Sequence, residues 1–173
     1  MSIIYSKNIG TVTAKVYYDM GYSVYKETSE ELLQNPTDSE IAWKLYPAGV
    51  VISFACEILL KLLYEKEKKA SVSGHLLYRD VYSQLSKDTQ QSIMAATRVM
   101  MATDNMGSLS DADFIDTLKK SENTFQNERY LYELKSRAEH GVKIGFLIAF
   151  AKALMLLTKD LNNKVVVEES EQN

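Results

Sequence analysis

Apolar residues in this chain recur at helical rather than alternating spacing. Val12, Val16, Met20 and Val24 fall four apart within residues 11–34, and Tyr17, Tyr18, Tyr22 and Tyr25 widen the face, so the stretch predicts a helix even though Tyr and Val also favour strands. Asn35-Pro36-Thr37-Asp38 breaks it, and SEIAWKLY predicts a short helical turn before Pro47. Pro47 to Tyr64 (PAGVVISFACEILLKLLY) is apolar nearly all round, with proline tolerated in its first turn. Its exceptions, Ser53, Glu57 and Lys61 with Glu65 just beyond, lie four apart and draw one narrow polar stripe along the helix. Such a rod belongs in the middle of a bundle, and its length and charges argue against a membrane span.

The remaining chain repeats the theme. After a loop from Ala70 to Gly74, His75 opens a segment with Leu77, Val81 and Leu85 on one face. Ser86 to Met101 carries Ile93, Ala96, Met100 and Met101 at helical spacing, and Thr103 to Ser110 is a flexible connection. Ser110 followed by Asp113 predicts a capping box that opens a helix through Leu118. SENTFQNERYLYE has no decisive period. From Leu131 to Leu161 the pattern is helical again, and Gly141, Gly145, Ala149 and Ala153 form a ridge expected to receive the Pro47–Tyr64 rod at close range. Together these elements predict an all-α, single-domain bundle of four to five helices over residues 1–162, followed by a frayed acidic tail over 163–173.

Composition narrows the function classes. With 7 Gly and 2 Pro in 173 residues, breakers are few, which fits long helices joined by short connections. A net charge of -3 supplies no global field to attract nucleic acid, so any such contact needs a local patch. The EKEKK run (Glu65 to Lys69) reads more simply as a solvated helix end. The single Cys56 excludes an internal disulfide and reads as a small core residue, which points to a reducing, cytoplasmic setting. The N-terminus lacks the basic start and apolar core of a signal peptide. No H-E-x-x-H, paired Glu-x-x-His, Walker or dinucleotide fingerprint is present, so no metal or cofactor is expected.

Three pieces, in order, carry a resemblance: Glu57-Ile-Leu-Leu-Lys61, Gly74-His75-Leu-Leu and Arg129-Tyr130-Leu-Tyr132-Glu133. Their types and order resemble the HEPN superfamily, helical domains of prokaryotic toxins, defence systems and RNA-processing proteins. The resemblance implies that Glu57, Lys61, His75 and Arg129 face one another, with Tyr130 and Glu133 beside them in a ligand site. His75 and Arg129 are then the candidate catalytic pair. It also implies RNA or a nucleotide as ligand, a cognate protein partner as in toxin–antitoxin pairs, and a two-fold homodimer that brings two polar sites together. Arg and Lys offer charge-assisted bonds to phosphate, and a histidine titrates near neutral pH. The plainer alternatives are a His75 that is a helix N-terminal residue following a glycine turn, tied to a backbone carbonyl, and an Arg129 that pairs structurally with Glu57 or Glu133.

The chain departs from the superfamily's R-x(4–6)-H ribonuclease motif. His140 has Lys135 five residues before it and Arg137 only three before, and His75 follows no arginine at short spacing. Lys135 with His140 is at most a degenerate version, since Lys is a point charge where Arg is a fork. The expectation is therefore a non-catalytic RNA- or nucleotide-associated binding module. A metal-independent endoribonuclease and a purely structural interaction bundle are the alternatives.

Overall fold

The apolar run around Pro47 forms the helix on which the others pack. The computed structural model describes the backbone of residues 2–122 and 143–170, with side chains for 9–122 and 143–159. Among these residues all regular structure is helical: α1 (Ser2–Gln34), α2 (Ser39–Trp43), α3 (Leu45–Lys68), α4 (Lys87–Thr103), α5 (Asp111–Ser121) and α6 (Ile144–Ser170). A π-helical turn (Leu77–Val81) and a 3-10 turn (Tyr82–Gln84) bridge α3 and α4. The chain is thus an all-α bundle. Arg129, Tyr130, Glu133, Lys135, His140 and Gly141 lie outside the described residues.

α3 packs between α1 and α6, and α6 also packs on α4. Ile52, Ala55, Cys56, Leu59 and Leu60 of α3 are fully buried. The stretch Ser39–Lys68 is, by length and composition, long and apolar enough to cross a membrane: an 18-residue run within it has a mean hydropathy of 1.7, and half of that run is buried inside the bundle. The length argument made on Pro47 to Tyr64 alone therefore does not exclude a span; what marks α3 as a core helix is the neighbours it buries against.

α1 turns its faces the less obvious way. Its inward side carries Ala14, Tyr18, Gly21 and Thr28, all buried. A methyl group built on Gly21 would sit 2.5 Å from Ile52 Cγ1, 2.8 Å from Val51 Cγ2 and 2.9 Å from the Ala48 carbonyl oxygen, so the absent side chain is what lets α1 reach α3. Tyr17 meets Phe54 edge to face at 4.8 Å, and Tyr18 stacks on Tyr22 at 5.5 Å. The Val and Met positions spaced by four point outward: Val12, Val16 and Met20 are 59%, 51% and 55% exposed.

α6 is buried from Phe146 to Ala151 and again at Ala153 and Leu154. Phe146 and Phe150 pack edge-on against Phe114 of α5, which also contacts Tyr82. The expected ridge is only partly the close contact: Ala149 and Ala153 are fully buried, but a methyl on Gly145 would find Met106 Sδ at an ordinary 3.4 Å. The helix continues to Ser170, past the expected boundary at 162, because no Gly or Pro follows Gly145 to stop it.

Caps fix the ends. Ser110 and Asp113 form the expected capping box. Ser86 caps α4 by accepting from the Thr89 N–H, and it in turn donates its own N–H and hydroxyl to Glu67 of α3, at 2.8 and 3.1 Å. Lys152 of α6 reaches Asp104, the C-terminal cap of α4, at 2.6 Å.

Candidate functional site

The polar stripe of α3 runs into the bundle. Ser53 is buried and returns its hydroxyl to the Val50 carbonyl at 2.9 Å. Glu57, one turn on, is only 3% exposed, a position a carboxylate holds only when it is paired. One of its oxygens is paired twice: Oε1 accepts from Lys61 Nζ at 2.8 Å and lies 2.9 Å from His75 Nδ1. The other, Oε2, is buried and accepts no hydrogen bond among the described residues. The two nitrogen-bearing side chains sit at the rim, with Lys61 25% and His75 54% exposed. A buried carboxylate thus holds two partly exposed basic groups.

Lys61 arrives by helical periodicity, in the favourable Glu-before-Lys order one turn apart. His75 arrives through a loop whose shape is set by two further residues. Gly74 has φ +96°, a conformation side chains resist, and a methyl there would collide with the Asp80 carboxylate. Asp80 Oδ2 accepts the backbone N–H of His75 at 3.0 Å and of Leu76 at 3.1 Å. The Leu76 N–H holds the Asp80 carboxyl below its ordinary range, helped by the His75 N–H and by Arg79, against a smaller opposing effect of burial. Leu77, Val81 and Tyr82 then anchor the turn in the core. On its outer side the Arg79 N–H donates to Glu122 Oε2 at 3.1 Å, and Lys119 Nζ lies 4.8 Å over the Tyr78 ring.

Of the residues singled out from the sequence, Glu57, Lys61 and His75 are brought together. Arg129, Tyr130 and Glu133, like the Lys135 and His140 pair, fall outside the described residues. His75 is not tied by Nδ1 to a backbone carbonyl; that nitrogen meets Glu57. Asp80 is the residue that periodicity could not find. Its signal is an acid following a glycine turn, positioned to bond back to the loop's N–H groups.

An ionised carboxylate only accepts hydrogen bonds, so beside Glu57 the imidazole proton belongs on Nδ1, and Nε2 is the acceptor of the neutral ring. Lys61 offers three N–H donors and Glu57 uses one of them. The cluster pairs the opposite charges of Glu57 and Lys61. Its chemistry is that of a small basic rim with a fixed internal counter-ion. Comparison with protein-family models, with curated proteins and with solved structures finds no match for this chain.

Proposed function

We propose that the protein is a HEPN-like, non-catalytic binding module whose ligand is RNA or a nucleotide, of the kind that serves defence or toxin–antitoxin systems. The observation that carries this is the convergence of Lys61 and His75 on the buried Glu57. A lone surface pair would be free to swing. Here the carboxylate sits on the innermost helix and orients both basic groups outward, and preorganised donors of this kind suit a phosphate. The order of Glu57, Lys61, Gly74 and His75 along the chain supports the same reading by resemblance.

The test is equilibrium binding of a short single-stranded RNA and of a mononucleotide. Lys61→Met should weaken binding about tenfold or more, the worth of one charge-assisted hydrogen bond; it also removes one of the two partners of the buried Glu57 carboxylate, so the variant should melt lower and binding is compared well below its melting temperature. No binding by the wild type, or binding indifferent to Lys61→Met, would overturn the proposal and favour a structural interaction bundle.

The Glu57–His75 contact favours a second reading. A carboxylate that holds the Nδ1 proton makes Nε2 the basic nitrogen of the ring, and a histidine base is one component of metal-independent RNA cleavage. RNA cleavage in excess chelator that His75→Ala abolishes would establish that alternative.

A further inference from the structure

We infer that the Glu57 site recognises a ribose 2′-hydroxyl together with the phosphate beside it, which makes Glu57 the residue that selects RNA over DNA. The inference rests on the ligand reading above and names the group that the site reads. Two observations carry it. Glu57 Oε2 is buried and accepts no hydrogen bond among the described residues, although a carboxylate offers about four lone-pair positions on its two oxygens. The other oxygen, Oε1, takes its two partners from Lys61 and His75, the same groups that serve a phosphate.

A phosphate alone fits this arrangement badly. Its oxygens compete with Glu57 for the Lys61 ammonium, and it sets a second anion beside a carboxylate already short of a donor. For a site that held phosphate by charge alone, a buried acid at its centre would only weaken the field. The ligand that suits the site therefore brings a donor of its own. That donor offsets the cost of the buried, unpaired oxygen, and turning the carboxylate about its last bond, a soft two-fold torsion, presents either oxygen to it.

Geometry selects which donor. Lys61 Nζ is 2.8 Å from Glu57 Oε1, so the acceptor and the donor of the ligand must be near neighbours as well. In RNA that pair is built in. The 2′-hydroxyl sits on the carbon adjoining the one that bears the 3′ phosphate, and it both donates and accepts. The amino groups of the bases lie beyond the sugar from that phosphate, and DNA has no donor at the 2′ position. The phosphate meets the partly exposed Lys61 and His75, and the hydroxyl reaches the carboxylate beneath them.

Equilibrium binding of oligouridylates of equal length, carrying 2′-hydroxyl, 2′-fluoro or 2′-deoxy sugars, tests the inference. Fluorine keeps the sugar pucker of RNA and cannot donate, so it separates the donor from the shape. The wild type should bind the hydroxyl form about tenfold or more tighter than the other two, the worth of a hydrogen bond to a charged acceptor. Glu57→Gln, with its fold checked by circular dichroism, should close most of that gap, because a neutral amide is the weaker acceptor. If that variant does not fold, the fluoro comparison on the wild type decides alone. Uridine 3′-phosphate should also displace the RNA at lower concentration than uridine 5′-phosphate, whose phosphate is remote from its 2′-hydroxyl. Equal binding of the hydroxyl and fluoro forms, a gap that folded Glu57→Gln keeps whole, or a preference for the 5′-phosphate would overturn the inference and leave the ligand reading standing. No binding of any form would overturn both.

Discussion

His75 is held at two points, its ring by Glu57 and its backbone by Asp80. Gly74→Ala attacks the second hold, because alanine must adopt φ +96° and meet the Asp80 carboxylate at once. We expect a loss of about 2 kcal/mol in urea denaturation, with a displaced His75 ring resonance by NMR. Glu67 makes a different claim, about acid. Burial pushes its carboxyl up, but bonds from Lys68, Thr89 and Ser86 outweigh this and hold it down at about 2, below the ordinary 4.5. Folding therefore favours the ionised form, and that stabilisation is complete above the ordinary value and fades as pH falls from about 4.5 toward 2. Glu67→Gln should flatten the melting temperature over that window and leave its pH dependence near neutrality alone.

Between elements, Gly21 and Gly145 should answer oppositely to the same change. Gly21→Ala drives a methyl into Ile52, Val51 and the Ala48 carbonyl, and the backbone atom among them cannot step aside. Overpacking of that kind costs about 1–3 kcal/mol. Gly145→Ala meets only the Met106 sulfur at ordinary contact distance, so the better helix former should be neutral or gain up to about 1 kcal/mol. Paired denaturation curves decide both. The existence of these helices was legible because apolar spacing, the Asn35-Pro36 break and the Ser110–Asp113 box are local signals. The rotation of α1 was not: Val and Tyr give it two apolar faces, and the choice depends on which one fits the surface of α3. Glu57 and Lys61 were legible as neighbours from their spacing alone. The nearness of His75 came only through resemblance, and the Asp80 latch is a side-chain-to-backbone bond that leaves no periodicity.

At the scale of the molecule, α3 sits between its neighbours, and its amides should open last. Native-state hydrogen exchange should find Ile52 to Leu63 exchanging only through global unfolding, with the π-helical and 3-10 turns opening at lower free energy. Exchange of Ile52 to Leu63 as fast as that of the turns would show that α3 is not the organising helix.

Cys56 stands at the centre of that arrangement, fully buried, with Sγ 3.6 Å from the Leu147 carbonyl oxygen on α6. Burial pushes its thiol well above the usual range, so at neutral pH it holds its proton and is a poor nucleophile. As the sole sulfhydryl in the chain, it is a built-in stopwatch for the parting of α3 and α6. A water-soluble disulfide reagent should label it no faster than those helices separate, and each packing variant above can be timed by the same colour change without any dye being attached beforehand.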